Sequence, residues 1–363
     1  MNPLLHHSNT PIFDALLSPC VLEYYEFMLR DALNRPIKDL RISVTDRCNF
    51  RCTYCMPLDE YVWIDKTEIL TFEEIERLAR LFISLGVEKI RLTGGEPLVR
   101  KDLEKLVHKL SALQGVDELC LTTNGALLAE KIAALKAAGL RRVNVSLDSL
   151  DPERFRKMTK RGDLTQVLKG LFAAKEHGMS PIKLNAVVER GVNDCDILDL
   201  VEFSRENGFA IRFIEYMDVG NTNSWTSAKL VSKKEIIETV NARYPLKEIG
   251  REKGSAPSVD YQFLDGKGDI GVIASVTEPF CSTCTRARLT ADGKLVTCLF
   301  SQTGHDLKGL LRKGASDETI LDMIAGIWRT RNDRYSDERL QALRSGAYDP
   351  KSHKKIEMIT LGG

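Results

Sequence analysis

The stretch DLRISVTDRCNFRCTYC, residues 39–55, opens as a strand and closes as a loop holding three cysteines. Asp39 to Val44 is a short β-branched run of the kind strands favour. Similar runs return at Lys89 to Leu92, Glu118 to Thr122, Arg142 to Leu147, Ile182 to Val188 and Ala210 to Ile214. Helical apolar spacing follows each of the first five, at Phe72 to Leu85, Leu103 to Leu113, Leu127 to Ala138, Leu164 to Glu176 and Ile197 to Glu206. Several of these patterns run into Gly86, Gly139, Gly178 or Gly208, the residue a left-handed C-terminal cap prefers. The sequence is a βα unit repeated six times, its last strand opening into Glu215 to Asn223. Strands joined this way run parallel through right-handed crossovers and place ligand sites at their carboxyl ends. The chemistry is therefore expected in Thr45 to Cys55, Thr93 to Pro97, Thr122 to Gly125, Asp148 and Met217 to Gly220. Six units are too few for a closed eight-stranded barrel, and both an open partial barrel and a flat doubly wound sheet satisfy the pattern.

Beyond about Tyr244 the rhythm changes to Gly- and Pro-containing turns with short strands at Ile270 to Val276, Ala287 to Thr290 and Lys294 to Cys298, then a helix around Glu318 to Arg329. A second, smaller domain is expected here, giving an extension at 1–34, a βα domain at 35–244 and a C-terminal domain at 245–363. The run Arg329 to Arg344 mixes both signs densely and is expected to be a solvated helical face.

The chain has 363 residues, enough for about two domains with ordinary cores. With 52 basic against 51 acidic side chains it carries a net charge of +1, which gives no footing for counterion-driven nucleic-acid binding. No apolar run approaches the roughly 18–20 residues of a membrane span. Residues 1–30 contain no Lys or Arg before Arg30 and are broken by Asp14, Glu23 and Glu26, so neither an export signal nor an organelle transit peptide is expected. One amphipathic helix is expected around Val21 to Leu33, and the compartment is expected to be the cytoplasm. There, closely spaced cysteines serve metals or redox chemistry more often than disulfides.

Nine cysteines fall into two triads and three singles. Cys48, Cys52 and Cys55 form C-x3-C-x2-C with Tyr54 before the last; Cys281, Cys284 and Cys298 form C-x2-C-x13-C. A structural zinc site or a simple ferredoxin cluster closes with four ligands, whereas three thiolates around a four-iron cluster leave one iron open to a small molecule. Competing readings are a zinc knuckle or thioredoxin-like pair at Cys52 and Cys55, and zinc at the second triad with His305 as fourth ligand. Cys20, Cys120 and Cys195 are expected to be unreactive. Arg286 and Arg288 are two apart, so on an extended chain both guanidinium groups share one face, an arrangement suited to a triphosphate, with a solvated basic strand face as the alternative.

The first triad with its preceding aromatic residue, followed after the next strand by Thr93-Gly94-Gly95-Glu96-Pro97, resembles the radical S-adenosylmethionine superfamily. Within it, Asp39 to Cys48, Cys281-Ser282-Thr283-Cys284-Thr285-Arg286-Ala287-Arg288 and the final Leu361-Gly362-Gly363 resemble the molybdenum cofactor biosynthesis protein A family, over nearly everything from Arg35 onward. The residues before Asn34 have no counterpart, and a late start codon is the simplest expectation for them. The resemblance implies a partial, open TIM-like barrel of six βα units with a smaller C-terminal iron-sulfur domain. It implies a [4Fe-4S] cluster on Cys48, Cys52 and Cys55, its open iron chelated by S-adenosylmethionine, with Tyr54, Gly95, Ser146 and Met217 lining that site. It implies a second [4Fe-4S] cluster on Cys281, Cys284 and Cys298 that takes the guanine of GTP. Arg41, Arg91, Thr122, Lys183, Arg286, Ala287 and Arg288 would hold the substrate, and Arg41, Gly362 and Gly363 would act in catalysis, the glycine tail entering the active site.

The implied reaction is abstraction of the ribose 3′ hydrogen by a 5′-deoxyadenosyl radical, attack on guanine C8 and reduction to the 3′,8-cyclised dihydro nucleotide, the first step of molybdopterin synthesis. An electron donor, a second copy of the chain in a homodimer and the next enzyme of that synthesis are the implied partners; nucleic acid and membrane are not. The rival readings are a radical peptide maturase, which leaves Arg286, Arg288 and the Gly-Gly end unexplained, and a redox-sensing metal module, which leaves Gly94 to Pro97 unexplained.

Overall fold

A computed structural model describes residues 29–362. Cys20, Gly363 and residues 21–28 of the expected N-terminal helix lie outside the described residues. The described end of that helix, Leu29 to Leu33, is instead part of a turn, because the Asp31 carboxylate accepts the backbone N–H groups of Leu33 and Arg35.

In chain order the strands are β1 (Asp39–Ser43), β2 (Lys89–Thr93), β3 (Glu118–Thr123), β4 (Arg142–Ser146), β5 (Ile182–Val188), β6 (Ala210–Glu215), β7 (Leu246–Gly250), β8 (Val259–Phe263), β9 (Asp269–Ile273), β10 (Arg286–Leu289), β11 (Lys294–Val296) and β12 (His305–Asp306). They form one sheet in the order β12-β11-β10-β1-β2-β3-β4-β5-β6-β9-β8-β7. Its middle eight strands, from β10 to β9, are parallel. Strands from the C-terminal third thus extend both ends of the six-unit row, β10 beside β1 and β9 beside β6. The six expected strands and five expected helices all form, within about two residues of their expected ends.

Alternation sorts the strand residues. Leu40, Ile42, Ile90, Leu92, Leu119, Leu121, Val143, Val145, Leu184, Ile211 and Phe213 are buried in the continuous apolar core. The helices that follow the strands contribute to that core, as Phe72–Ser84 does with Ile75, Leu78 and Phe82. That helix starts where the sequence dictates, at a Thr71/Glu74 capping box. The other faces of the strands carry Arg41, Arg91, Thr122, Asn144, Asn185, Arg212, Ile273 and Arg288, one or more from each parallel strand, and all line a single cavity. A flat sheet cannot wrap eight strands around one cavity, so the sheet is curled into an open barrel. Its two end strands, β9 and β10, are consecutive in the chain, so the connection Ala274 to Thr285 spans the opening, and it carries Cys281 and Cys284.

One helix was not expected and one expectation is corrected. Pro152–Thr159 is a helix too short to show an apolar period, set by Asp151 accepting from Arg154 N and by Pro152 in its first turn. The charged run after Arg329 is a solvated face only in part: Arg329, Arg334, Glu338 and Arg344 are exposed, but Arg331 and Arg339 are buried, paired with Asp31 and Asp218. Among the described residues no helix is long and apolar enough to cross a membrane.

Helix Asp317–Arg329 ends in Trp328, fully buried, whose Nε1–H donates to Arg35 O over 3.1 Å and ties the N-terminal turn to the core. Trp328→Ala is expected to cost ~3–5 kcal/mol in urea unfolding; a loss below about 1 kcal/mol would show that this contact does not anchor the turn.

Candidate active site

The first triad lies in the loop leaving β1. Turn bonds from Cys55 N (3.1 Å) and Met56 N (2.8 Å) to Cys52 O shape it, and Arg51 N and Thr53 N bond to Thr159 O and Met158 O at the end of the Pro152–Thr159 helix. From the other side it is pressed against the loop after β2, where Gly95 N and Glu96 N donate to Thr45 O and Arg47 O, each over 2.8 Å. A Cβ on Gly94 would stand 2.5 Å from Thr45 O and one on Gly95 2.4 Å from Arg47 O. Gly95, which the resemblance places in the S-adenosylmethionine site, also has a packing role shared with Gly94: both glycines let two loops pack backbone to backbone.

Cys48, Cys52 and Cys55 all face the lumen cavity. Burial pushes the Cys48 thiol up to about 11 and that of Cys55 up to about 12, so a bound cation is needed to hold them as thiolates. Among the described residues no three His, Cys, Asp or Glu side chains converge as ligands of a single ion. A four-iron cluster binds each thiolate to a different iron, and three cysteines lining one cavity without converging on a single ion fit that group.

The second triad lines a smaller cavity in the barrel opening, with Arg35, Phe280, Arg331 and Asp333 around it. Cys284 Sγ accepts from Arg286 Nη2 at 2.9 Å, Arg286 Nε at 3.2 Å and Arg331 Nη2 at 3.3 Å. Burial alone would raise this thiol, but the two guanidinium charges outweigh it and bring it down to about 6. Burial and Asp333 push Cys298 up to about 12. Arg35 Nη1 donates to Cys281 O (2.7 Å) and Arg331 Nη1 to Cys284 O (2.8 Å), fixing the loop from behind. His305, the competing zinc ligand, is exposed on β12 and lines neither cavity. Cys120 is buried in β3 and Cys195 exposed.

The two cavities share Ser275, Phe280, Arg286, Arg288 and Leu299. Five arginines line the larger one: Arg41, Arg91, Arg212, Arg286 and Arg288. Register sets Arg41 beside Arg91 on one side and Arg288 on the other. Burial, then the neighbouring charge of Arg288, drives the Arg41 guanidinium well below its ordinary range; burial and Arg286 bring Arg288 down to about 10. Arg41 Nε, Arg91 Nε, Asn144 Oδ1 and Asn185 Oδ1 are buried without a protein partner. Crowded cations and unspent polar atoms suit an anionic ligand with many acceptors.

Thr122 accepts from Arg91 Nη1 at 3.2 Å and lines the same lumen. Lys183 is buried on β5 and lines neither cavity; burial, then Arg212 and Arg142, lower it to about 8, and its Nζ lies 3.8 Å from Glu252. Ala287, fully buried, pairs with Leu40 and is also away from both cavities. Tyr54, Gly95, Ser146 and Met217 converge on the larger cavity, with Tyr54 OH donating to Asp148 Oδ2 at 2.8 Å. Gly362 receives Arg288 Nη1 on its carbonyl at 2.9 Å and sits against Thr93 and Gly94. Sequence reasoning missed Arg212, Asn144 and Asn185. The two-residue alternation of the strands carries the signal for all three, as it does for Arg286 and Arg288.

Residues 42–204 match the radical SAM superfamily and 209–337 the family described as Molybdenum Cofactor Synthesis C. The chain is 47% identical to a GTP 3′,8-cyclase of Acidothermus cellulolyticus over 92% of this chain and 99% of that protein, and 45% identical to one of Aquifex aeolicus over 93% and 100%. It belongs to the GTP 3′,8-cyclase family. Its fold is shared with Streptococcus suis SuiB bound to precursor peptide SuiA, at a TM-score of 0.61 and 16% identity, over 94% of this chain and 75% of that one. In this member of the family the radical SAM match spans β1 to β5, while the strands that close on its flanks, β9 and β10, fall in the second matched segment.

Glu96 binds the site's loops together, accepting from Thr123 Oγ1 and Asn124 N, both at 2.7 Å, and from Leu98 N at 3.0 Å. Burial nevertheless pushes it up to about 7 from an ordinary 4.5. Between those values the unfolded chain has shed this proton and the folded chain has kept it, so folding stability falls as pH rises. Metal-free protein is expected to lose ~3 kcal/mol through this group between pH 4.5 and 7. Glu96→Gln should flatten that part of the urea-unfolding profile, and an unchanged slope in the variant would refute the assignment.

Proposed function

We propose that this chain is a radical GTP 3′,8-cyclase, converting GTP to (8S)-3′,8-cyclo-7,8-dihydroguanosine 5′-triphosphate for molybdenum cofactor synthesis. The observation that carries the reading is an arginine-lined lumen flanked by two three-cysteine sites. Cys48, Cys52 and Cys55 hold one [4Fe-4S] cluster and Cys281, Cys284 and Cys298 the other. With S-adenosylmethionine bound at the first, the pair supplies a 5′-deoxyadenosyl radical and an open iron for the guanine.

The chain's own residues bind, orient and exclude. Tyr54, Gly95, Ser146 and Met217 frame S-adenosylmethionine at the strand ends. Arg41, Arg91, Arg286 and Arg288, joined by Arg212, take the triphosphate; their planar forks match phosphate oxygens, and the ligand's negative charge relieves their mutual repulsion. Thr122 completes the substrate contacts in the lumen; Lys183, outside it, adds positive charge beside Arg212, and the Ala287 backbone holds its two arginines in register. No side chain has to act as nucleophile in a hydrogen-atom transfer, so the protein contributes position and a closed site, to which Gly362 belongs, and Gly362 and Gly363 act in catalysis. A peptide maturase would have no use for five arginines in one lumen. An electron donor, a second copy of the chain in a homodimer and the next enzyme of the pathway are its partners, in the cytoplasm. Residues 35–244 serve as the radical SAM unit and 245–363 as the unit for the second cluster.

Anaerobic incubation with dithionite, S-adenosylmethionine and GTP should yield the cyclised nucleotide by mass analysis; its absence with 5′-deoxyadenosine accumulating would overturn the substrate assignment. Reconstituted protein should hold about eight irons per chain, two clusters of four. Cys281→Ala should still cleave S-adenosylmethionine while forming no cyclised nucleotide, and equal loss of both activities would count against separate roles for the triads. Replacing Arg286 and Arg288 together should weaken GTP binding by ~3–6 kcal/mol, ~1.5–3 for each charged group; unchanged affinity in a titration sinks the triphosphate assignment.

A further inference from the structure

Asp218 is buried one residue beyond Met217, in the loop after β6. Its carboxylate gathers donors from two places: Arg339 Nη1 and Tyr335 OH (2.6 Å) on helix Tyr335–Arg344, and Tyr348 OH and Lys355 Nζ (3.0 Å) on the segment that follows it. The side chains of Arg339, Asp218 and Lys355 are 0%, 1% and 1% exposed. Beside it, Asn221 holds the same segment by both ends of its amide, Nδ2 donating to Lys355 O at 2.6 Å and to Glu357 Oε1 at 2.7 Å, and Oδ1 accepting Lys355 N at 2.8 Å.

The segment so held runs from Ser345 to Gly362 and has no regular structure until the short turn of helix Met358–Leu361. Lacking a ladder of its own, its position depends on side-chain anchors. Its path touches both triads. Ile356 N donates to Ser301 O at 3.0 Å, three residues beyond Cys298. Met358 packs with Val219 and Phe300 in an apolar cluster that Cys55, Met217 and Cys298 all join, and Glu357 is near enough to raise the Cys55 thiol. Gly362 then lies on Thr93 and Gly94, bonded to Arg288.

We propose that Asp218 is the latch of a C-terminal strap: by tying Tyr348 and Lys355 of the strap to the carboxylate that also holds Arg339 and Tyr335 of the preceding helix, it seats residues 348–362 across the space between the two cysteine triads and keeps the reacting centre closed. Asp218 is thus a positioning residue, acting through the strap. The seating stands on the geometry alone; its consequence for chemistry rests on the proposed function.

The test uses the reconstituted full chain and three variants. Asn221→Ala removes a solvent-facing grip, Lys355→Met removes one cation while leaving the Arg339 pair, and Asp218→Asn with Lys355→Met removes the latch while keeping the buried net charge of the site at its original value. Each is followed by amide hydrogen exchange over 346–362 and by the molar ratio of 5′-deoxyadenosine to cyclised nucleotide. Faster exchange confined to the strap, with that ratio rising about fivefold in the single variants, is the expected result, and the double variant should exceed both. Strap exchange that does not change refutes the latch; faster exchange with an unchanged ratio refutes its role in closure. If wild-type protein forms no cyclised nucleotide while strap exchange responds as expected, the functional reading fails and the latch stands.

Discussion

The parallel pairing of β1 with β10 is the contact on which the site depends. Its register sets Asp39 against Arg286 and Arg41 against Arg288, joining residues some 250 positions apart in the sequence. Through that pairing the C-terminal third contributes two arginines to a lumen otherwise built from βα units, and Cys284 comes with them, two residues before Arg286. Because β9 and β10 end the parallel row at opposite sides, the chain must cross the barrel's opening between them. A fully closed barrel would leave no such opening. The second triad therefore occupies the place where the ring of strand pairing is missing.

A lumen of buried like charges is costly, and the stability that tolerates it comes from the other side of the sheet. There the strands present Leu, Ile and Val to helices in one continuous core, at ~25 cal/mol per Å² of apolar surface removed from water. The irregular segments follow a different rule: they are anchored by buried carboxylates that each collect several cations. Asp31 joins Arg35 and Arg331 behind the second triad, and Asp218 joins Arg339 and Lys355 behind the first-triad side of the lumen. Removing one partner from such a group strands a charge in low dielectric, typically costing ~3–5 kcal/mol. Direction and position come from these hubs where no hydrogen-bonded ladder exists.

The repeating units were legible because burial on one strand face and one helix stripe leaves a periodic trace, and both triads were legible because ligand spacing is local. What the pattern left open was curvature: an open barrel and a flat sheet share the same alternation, and the difference lies in how Arg41, Asn144, Arg212 and Ile273 meet across strands. Arg331 and Arg339 were misread for a related reason. Their neighbours Arg329, Asp333, Asp337 and Glu338 give the run the composition of a solvated face, while the carboxylates that bury the two arginines, Asp31 and Asp218, lie 300 and 121 residues away. Gly94 and Gly95 were legible only as part of the Thr93 to Pro97 motif, and the position of Thr45 and Arg47 reveals that loop packing requires both glycines.

The same long-range pairing explains how a chain of net charge +1 accommodates a polyanion. Global charge governs steering over distances longer than a Debye length, ~8–10 Å at ordinary ionic strength, and here that field is weak. Inside the lumen, Arg41, Arg91 and Arg288 stand on neighbouring strands, Arg91 and Arg288 buried, where screening is weaker than at the surface. Attraction is thus concentrated at the point where geometry can be checked: a ligand gains it only by placing several acceptors against several fixed forks at once. A basic surface would draw any polyanion, whereas a neutral surface over a cationic interior favours one whose length and shape fit the lumen.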